Sequence, residues 1–271
     1  AIANMRALAT YHRWNRDRAQ QMVRRSLLRY VESRLRHEPS HSPHGRLIAV
    51  ADAMWHFVAG EKITLYLIFL RPVDSTEATI ALPAFFPGHE DRKGWDYAWN
   101  QLPVAYTRRI CALVCDGQPW LVAFGYRQGW IVQRCQFHLL ANLQMYLGTR
   151  ERQRNSRVST LVHALFATTD QKRSGQILEE LRQIRMTTRS RGIRRVLSGL
   201  ETNYQDFQSY LRYPDLNLPA TTNTAESCIS GIRGLMRRCR GFRSEKALRL
   251  WITGYILWKK TIRCNGKNQQ K

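Results

Sequence analysis

The chain has 271 residues with 43 Lys+Arg against 20 Asp+Glu, a formal charge of +23 and a pI near 10.6. That balance, carried mostly by arginine with its two-pronged grip on phosphate, requires a polyanionic partner, and nucleic acid fits it better than a membrane surface. With 44% hydrophobic residues and 8 Trp the chain is not a disordered basic tail, and it buries a core sized for one large domain or two small ones.

Residues 11–37 read as a basic amphipathic helix, with Val23, Leu27, Val31 and Leu35 recurring at i+4 and Arg on the other faces. Residues 37–45, with two Pro and three His, form a linker. The pattern then changes. Leu47 to Ala51 is a short apolar run suited to a strand buried on both faces and ending in Asp52. Ile63 to Leu70 is a second strand, stopped by Arg71-Pro72, and a weaker third spans 78–82. Residues 90–105, with Trp95 and Trp99 one turn apart, read as a helix. Ile110 to Cys115 is a buried strand closing on Asp116-Gly117, followed by a short helix over 119–126, a strand at 130–133 and a helix from Phe137.

Residues 148–214 carry helical spacing and abundant Arg but no strand pattern, so they form an all-helical segment. After Pro214 and Pro219, Asn223 opens a helix with the stripe Ile229, Ile232, Met236 and Cys239, closed by Gly241. Ser244 starts the last helix, which runs to about Lys260. The longest apolar run, Ala247 to Trp258, is shorter than the roughly 20 residues of a membrane span. The six cysteines lie in apolar segments without a secretory signal before them, which points to free thiols in a reducing compartment.

Two aspartates thus sit at strand tips, where open α/β sheets place functional groups. Asp-Gly after a strand is also ordinary turn chemistry. Asp52 has no such bland reading, because it continues into apolar Ala53-Met54-Trp55, where an unpaired carboxylate is costly. Glu226 is explained by a capping box with Asn223 at N-cap, yet it lies three residues before Ile229, in line with the buried stripe. A metal ion shared with Asp52 and Asp116 would give this acid a partner, and three oxygen ligands suit Mg²⁺ or Mn²⁺. Cys111, Cys115, Cys135 and His138 look like a zinc list, but on a strand Cys111 and Cys115 stand about 13 Å apart. That is too far for one ion with Zn–S bonds of about 2.3 Å.

Asp52, Asp116, the box Arg134-Cys135-Gln136-Phe137-His138, Asn142-Leu143, and Asn223-Thr224-Ala225-Glu226 followed by Arg233 and Arg240-Gly241-Phe242 together resemble the DDE transposases of the Mutator-like superfamily and its bacterial insertion-sequence relatives. The resemblance covers roughly residues 46–260. It implies an α/β, RNase H-like mixed sheet flanked by helices, divided as a basic helix and linker left from a DNA-binding region (1–45), a first core part (46–147), an all-helical insertion before the last catalytic helix (148–221) and C-terminal core helices (222–271). It also implies catalytic and metal-holding roles for Asp52, Asp116 and Glu226, with two Mg²⁺ or Mn²⁺ ions, and a supporting role for Cys135 and His138. Arg233, Arg237, Arg238, Arg240 and Arg243 would then hold DNA phosphates, and Trp120 would stack on an unpaired base. The implied partners are transposon-end and target DNA and a second copy of the chain, in the bacterial cytoplasm at the nucleoid, with neither a membrane nor a small-molecule substrate. An RNase H-fold nuclease without strand transfer and a catalytically silent DNA-binding protein are the alternatives.

Overall fold

The computed structural model describes residues 16–36, 43–147, 157–239 and 241–265. The start of the expected N-terminal helix, most of the linker and Arg240 lie outside these described residues. Helix α1 (Arg16–Arg36) lays Leu27 and Val31 against Gly254, where a Cβ would come within 2.6 Å of the Leu27 side chain. Its apolar stripe is shorter than expected, because Leu35 remains 51% exposed.

Strands β1 (Leu47–Val58) and β2 (Glu61–Pro72) are longer than their apolar runs. Asp52, expected as the end of a strand, sits in the middle of one. Beyond it residues 53–58 stay in the antiparallel ladder with β2, Asp52 opposite Leu67 and Val58 opposite Glu61. Ala59 and Gly60 close the hairpin with φ of 52° and 88°, the two positive values a type I′ turn requires and an l-alanine resists. Ala59→Asn is expected to raise stability by about 1 kcal/mol in a thermal melt.

Where one weak strand was expected, two short ones form, β3 (Glu77–Ile80) and β4 (Ala84–Pro87), both paired with β2. The helix expected over 90–105 is broken: α2 (Arg92–Asn100) is capped by Asp91, whose carboxylate accepts from Gly94 N at 2.8 Å. Pro103, which cannot continue a helix, then starts the single turn α3 (Val104–Thr107). Strand β5 (Ile110–Cys115), α4 (Pro119–Arg127), β6 (Ile131–Arg134) and α5 (Gln136–Tyr146) follow. Helices α6 (Arg157–Ala167), α7 (Gln171–Thr187) and α8 (Arg191–Thr202), the single turns α9 (Tyr204–Phe207) and α10 (Ser209–Arg212), and a 3₁₀ turn (Pro214–Leu216) occupy the strandless region. Helices α11 (Asn223–Arg238) and α12 (Glu245–Lys259) and a short strand β7 (Thr261–Arg263), which the sequence did not suggest, complete the order.

The sheet runs β6-β5-β1-β2-β3-β7, with β4 beside β2. β1 and β2 are antiparallel, whereas β1–β5 and β5–β6 are parallel. This is the RNase H-like mixed sheet flanked by helices. Because side chains alternate along a strand, Ile48, Val50 and Met54 join the core under α11 and α12, and Leu47, Ala49 and Ala51 join the core under α2 and α4. A third cluster, built on Leu143, Val162, Leu165, Ile177 and Leu197, lies among α5 to α8. No described helix is long and apolar enough to cross a membrane, and all six cysteines are free thiols.

Candidate active site

Asp52 shares a sheet face with Val50 and Met54, so its carboxylate points at α11 rather than at α2. The parallel register pairs Val50 with Val114, which brings Asp116, directly after β5, level with Asp52 on the neighbouring strand. One Asp116 oxygen accepts from Gln118 N at 3.0 Å, so the local turn chemistry is present alongside the placement at the strand tip. Gly117 turns the chain away with φ 93°, and a Cβ there would meet Arg134 Nε at 2.6 Å.

Helix α5 begins immediately after β6 with Cys135 at its N-cap. Cys135 is fully buried, and its sulfur accepts from Thr222 N at 3.2 Å and from Thr222 Oγ1 at 3.4 Å. Thr222 Oγ1 also meets His138 Nδ1 at 3.3 Å, and His138 Nε2 lies 3.4 Å from Glu226 Oε1. The Cys-x2-His box is therefore a clasp between the starts of α5 and α11. The capping box expected for Glu226 does not form. Thr222, not Asn223, is the N-cap and makes no side-chain cap bond, which leaves the Glu226 carboxylate free to face His138. Thr222→Val keeps the shape and the backbone bond but removes the hydroxyl between Cys135 and His138. It is expected to lower the reaction rate or the apparent metal affinity by about 10-fold, measured by titrating Mn²⁺ in a DNA-nicking assay.

Ligand atoms of Asp52, His138 and Glu226 lie within 4.8 Å of one another. Asp52 is 7% exposed; its Oδ1 accepts from Ala53 N at 2.8 Å, and its Oδ2 is buried without a partner. Burial, opposed by His138 and reinforced by Asp116 and Glu226, pushes the Asp52 carboxyl up to about 7. Burial also raises Asp116, against the pull of its Gln118 bond and of His138. For His138, burial favours the neutral ring, but Cys135, Asp52 and Asp116 outweigh it and hold the imidazole up at about 9. Crowded acids, one with an oxygen unbonded, are what a divalent ion fits, and carboxylate oxygens suit Mg²⁺ or Mn²⁺; His138, held as the imidazolium, would add a ligand only on losing its proton.

Arg233, Arg237, Arg238 and Arg243 are exposed along and just past α11, and none forms an ion pair among the described residues. Trp120 is half-buried against the α2/α4 core with its indole nitrogen buried and unpaired. Two residues near the site were not singled out as functional in the sequence reading. Thr222 read only as the start of the helix, with Asn223 taken as its N-cap, whereas Thr222 is the N-cap. Glu90 lies in the loop before α2, and accepts from Trp95 Nε1 at 2.8 Å. Burial, with Asp116 adding to it, raises its carboxyl.

The sheet is RNase H-like, with Asp52 inside β1, Asp116 directly after the adjacent parallel strand β5, and Glu226 on the helix laid across them. Residues 81–255 match the model of the family described as "Transposase, Mutator family"; the chain belongs to that family, and its partner is DNA. The matched span holds Asp116, Cys135, His138 and Glu226 and begins after Asp52, whose membership in the site rests on the geometry. No curated protein matches the chain.

Proposed function

We propose that this protein cleaves DNA at transposon ends and joins the freed 3′ ends to target DNA, using divalent ions held by Asp52, Asp116 and Glu226. The observation that carries the reading is the buried Asp52 carboxylate, which lies within 4.8 Å of ligand atoms from Glu226 and His138 and has its Oδ2 without a hydrogen-bond partner. A buried carboxylate without a donor is costly; a proton relieves it below about pH 7, and above that a bound cation does.

Bound Mg²⁺ or Mn²⁺ would activate the attacking hydroxyl and stabilise the leaving oxygen in an in-line displacement at phosphorus. The residues of the chain supply the rest. Asp52 is fixed by its strand ladder and Asp116 by its turn. Glu226 is set by the Cys135–Thr222–His138 clasp, so that the three acids are preorganised before DNA arrives. Before an ion is held, the His138 imidazolium balances the carboxylates. Arg233, Arg237, Arg238 and Arg243 grip backbone phosphates beside the acids, with Arg240 next to them in sequence, and a second copy of the chain serves the second transposon end. The test is an assay with labelled DNA carrying the inverted repeats that flank the gene. Strand joining with Mg²⁺ or Mn²⁺ supports the proposal; cutting without joining supports a nuclease instead.

A further inference from the structure

Beyond Asp52 the β1–β2 hairpin carries two large aromatic side chains on the face opposite the buried acid, Trp55 and Phe57, which are 55% and 54% exposed. They meet edge to face with centroids 5.4 Å apart. Lys62, opposite Phe57 in the ladder, holds its ammonium 4.2 Å from the Trp55 ring centre and 5.5 Å from that of Phe57. It also donates to His89 Nδ1 at 3.0 Å. Two such rings exposed side by side form an apolar patch of the kind that marks a binding surface.

We propose that Trp55 and Phe57 form a stacking platform for an unpaired DNA base, on the face of the hairpin opposite the acids, with Lys62 and His89 facing its backbone. The proposal rests on the transposase reading above. Three observations place the platform and select its occupant. Trp55 is three residues along β1 from Asp52, about 10 Å at the rise of a strand. His89, bonded to Lys62, directly precedes Glu90, whose carboxylate accepts from Trp95 Nε1 at 2.8 Å, so the platform's polar edge sits on the short loop that leads into α2. The loop is pinned, because Thr64 Oγ1 donates to Gly88 O at 2.7 Å. Finally, aromatic faces interleaved with cations suit a base with its phosphate, since stacking is tolerant of sequence and the ammonium supplies the complementary charge. An apolar protein surface would leave Lys62 desolvated without a counter-charge.

The experiment compares affinities of the full chain, in EDTA to prevent cleavage, for a fluorescent duplex and for the same duplex with three unpaired nucleotides at one end. Wild type is expected to bind the frayed DNA about 5- to 100-fold more tightly, the range one or two stacked bases give. Trp55→Ala combined with Phe57→Ala should abolish that preference while leaving duplex affinity and its salt dependence unchanged. Trp55→Phe should retain part of the preference. Lys62→Ala should instead reduce the slope of log affinity against log salt by about 1. A preference that persists in the double alanine variant, or wild type with no preference at all, overturns the platform while leaving the transposase reading standing. Wild type that binds neither DNA overturns both.

Discussion

Asp52→Asn is expected to abolish DNA cleavage and, in metal-free protein, to stabilise the fold. The unfolded carboxyl ionises near 3.8 and the folded one near 7. Between these values the native state holds a proton that the unfolded state has released, so stability falls as pH rises through this window. The contribution is intact below the unfolded value and lost by the time the folded carboxyl ionises. Three pH units of mismatch amount to about 4 kcal/mol. Thermal melts in EDTA should therefore show the wild type losing stability from about pH 4 to about pH 7 relative to the variant, with the two converging in acid. Mn²⁺ should raise the wild-type melting temperature above pH 7 and leave the variant unmoved. A variant no more stable than wild type at pH 8 would mean that the Asp52 carboxylate has a partner after all.

The second large effect is structural. Arg71 is completely buried, and its guanidinium donates to the carbonyls of Cys264 at 3.1 Å, Leu216 at 3.1 Å and Asn217 at 2.7 Å. No acid pairs with it among the described residues, and burial lowers its pKa. Arg71→Ala leaves three carbonyls without donors and a cavity the size of a long side chain, so the loss is about 4 kcal/mol or more. For a chain of this length that is a fall of about 10 °C in melting temperature. Arg71→Met fills the volume but not the hydrogen bonds and should recover only part. Because Leu216 and Asn217 lead into Thr222, Arg71→Ala should also loosen Glu226 and slow cleavage in protein that remains folded.

How far the sequence foretold these features depends on whether the cause is local. The placement of Asp52 on a buried strand, of Asp116 directly after another and of Glu226 near the start of an amphipathic helix was legible because each interrupts a clear apolar pattern, and the resemblance supplied their order. The length of β1 was not legible: Met54-Trp55-His56-Phe57-Val58 shows no clean alternation, since Trp55 and Phe57 face solvent and are held there by pairing with β2. Arg71-Pro72 read as a stop signal, yet Arg71 is the largest fully buried side chain among the described residues. The carbonyls that account for it come 145 to 193 residues later in the chain. The role of Thr222 was hidden for the same reason, because Cys135 and His138 reach it from another helix. Glu90 carries no periodic context, and only the fold brings it toward Asp116.

The most direct measurement is metal-dependent nicking of terminal-repeat DNA by wild type and by Glu226→Gln, with DNA affinity recorded on the same samples. Glu226→Gln preserves size and the start of α11 while removing the charge that faces His138. Wild type is expected to nick only with Mg²⁺ or Mn²⁺, and Glu226→Gln not at all, at undiminished DNA affinity. Equal nicking by the two proteins, or nicking in EDTA, would contradict it.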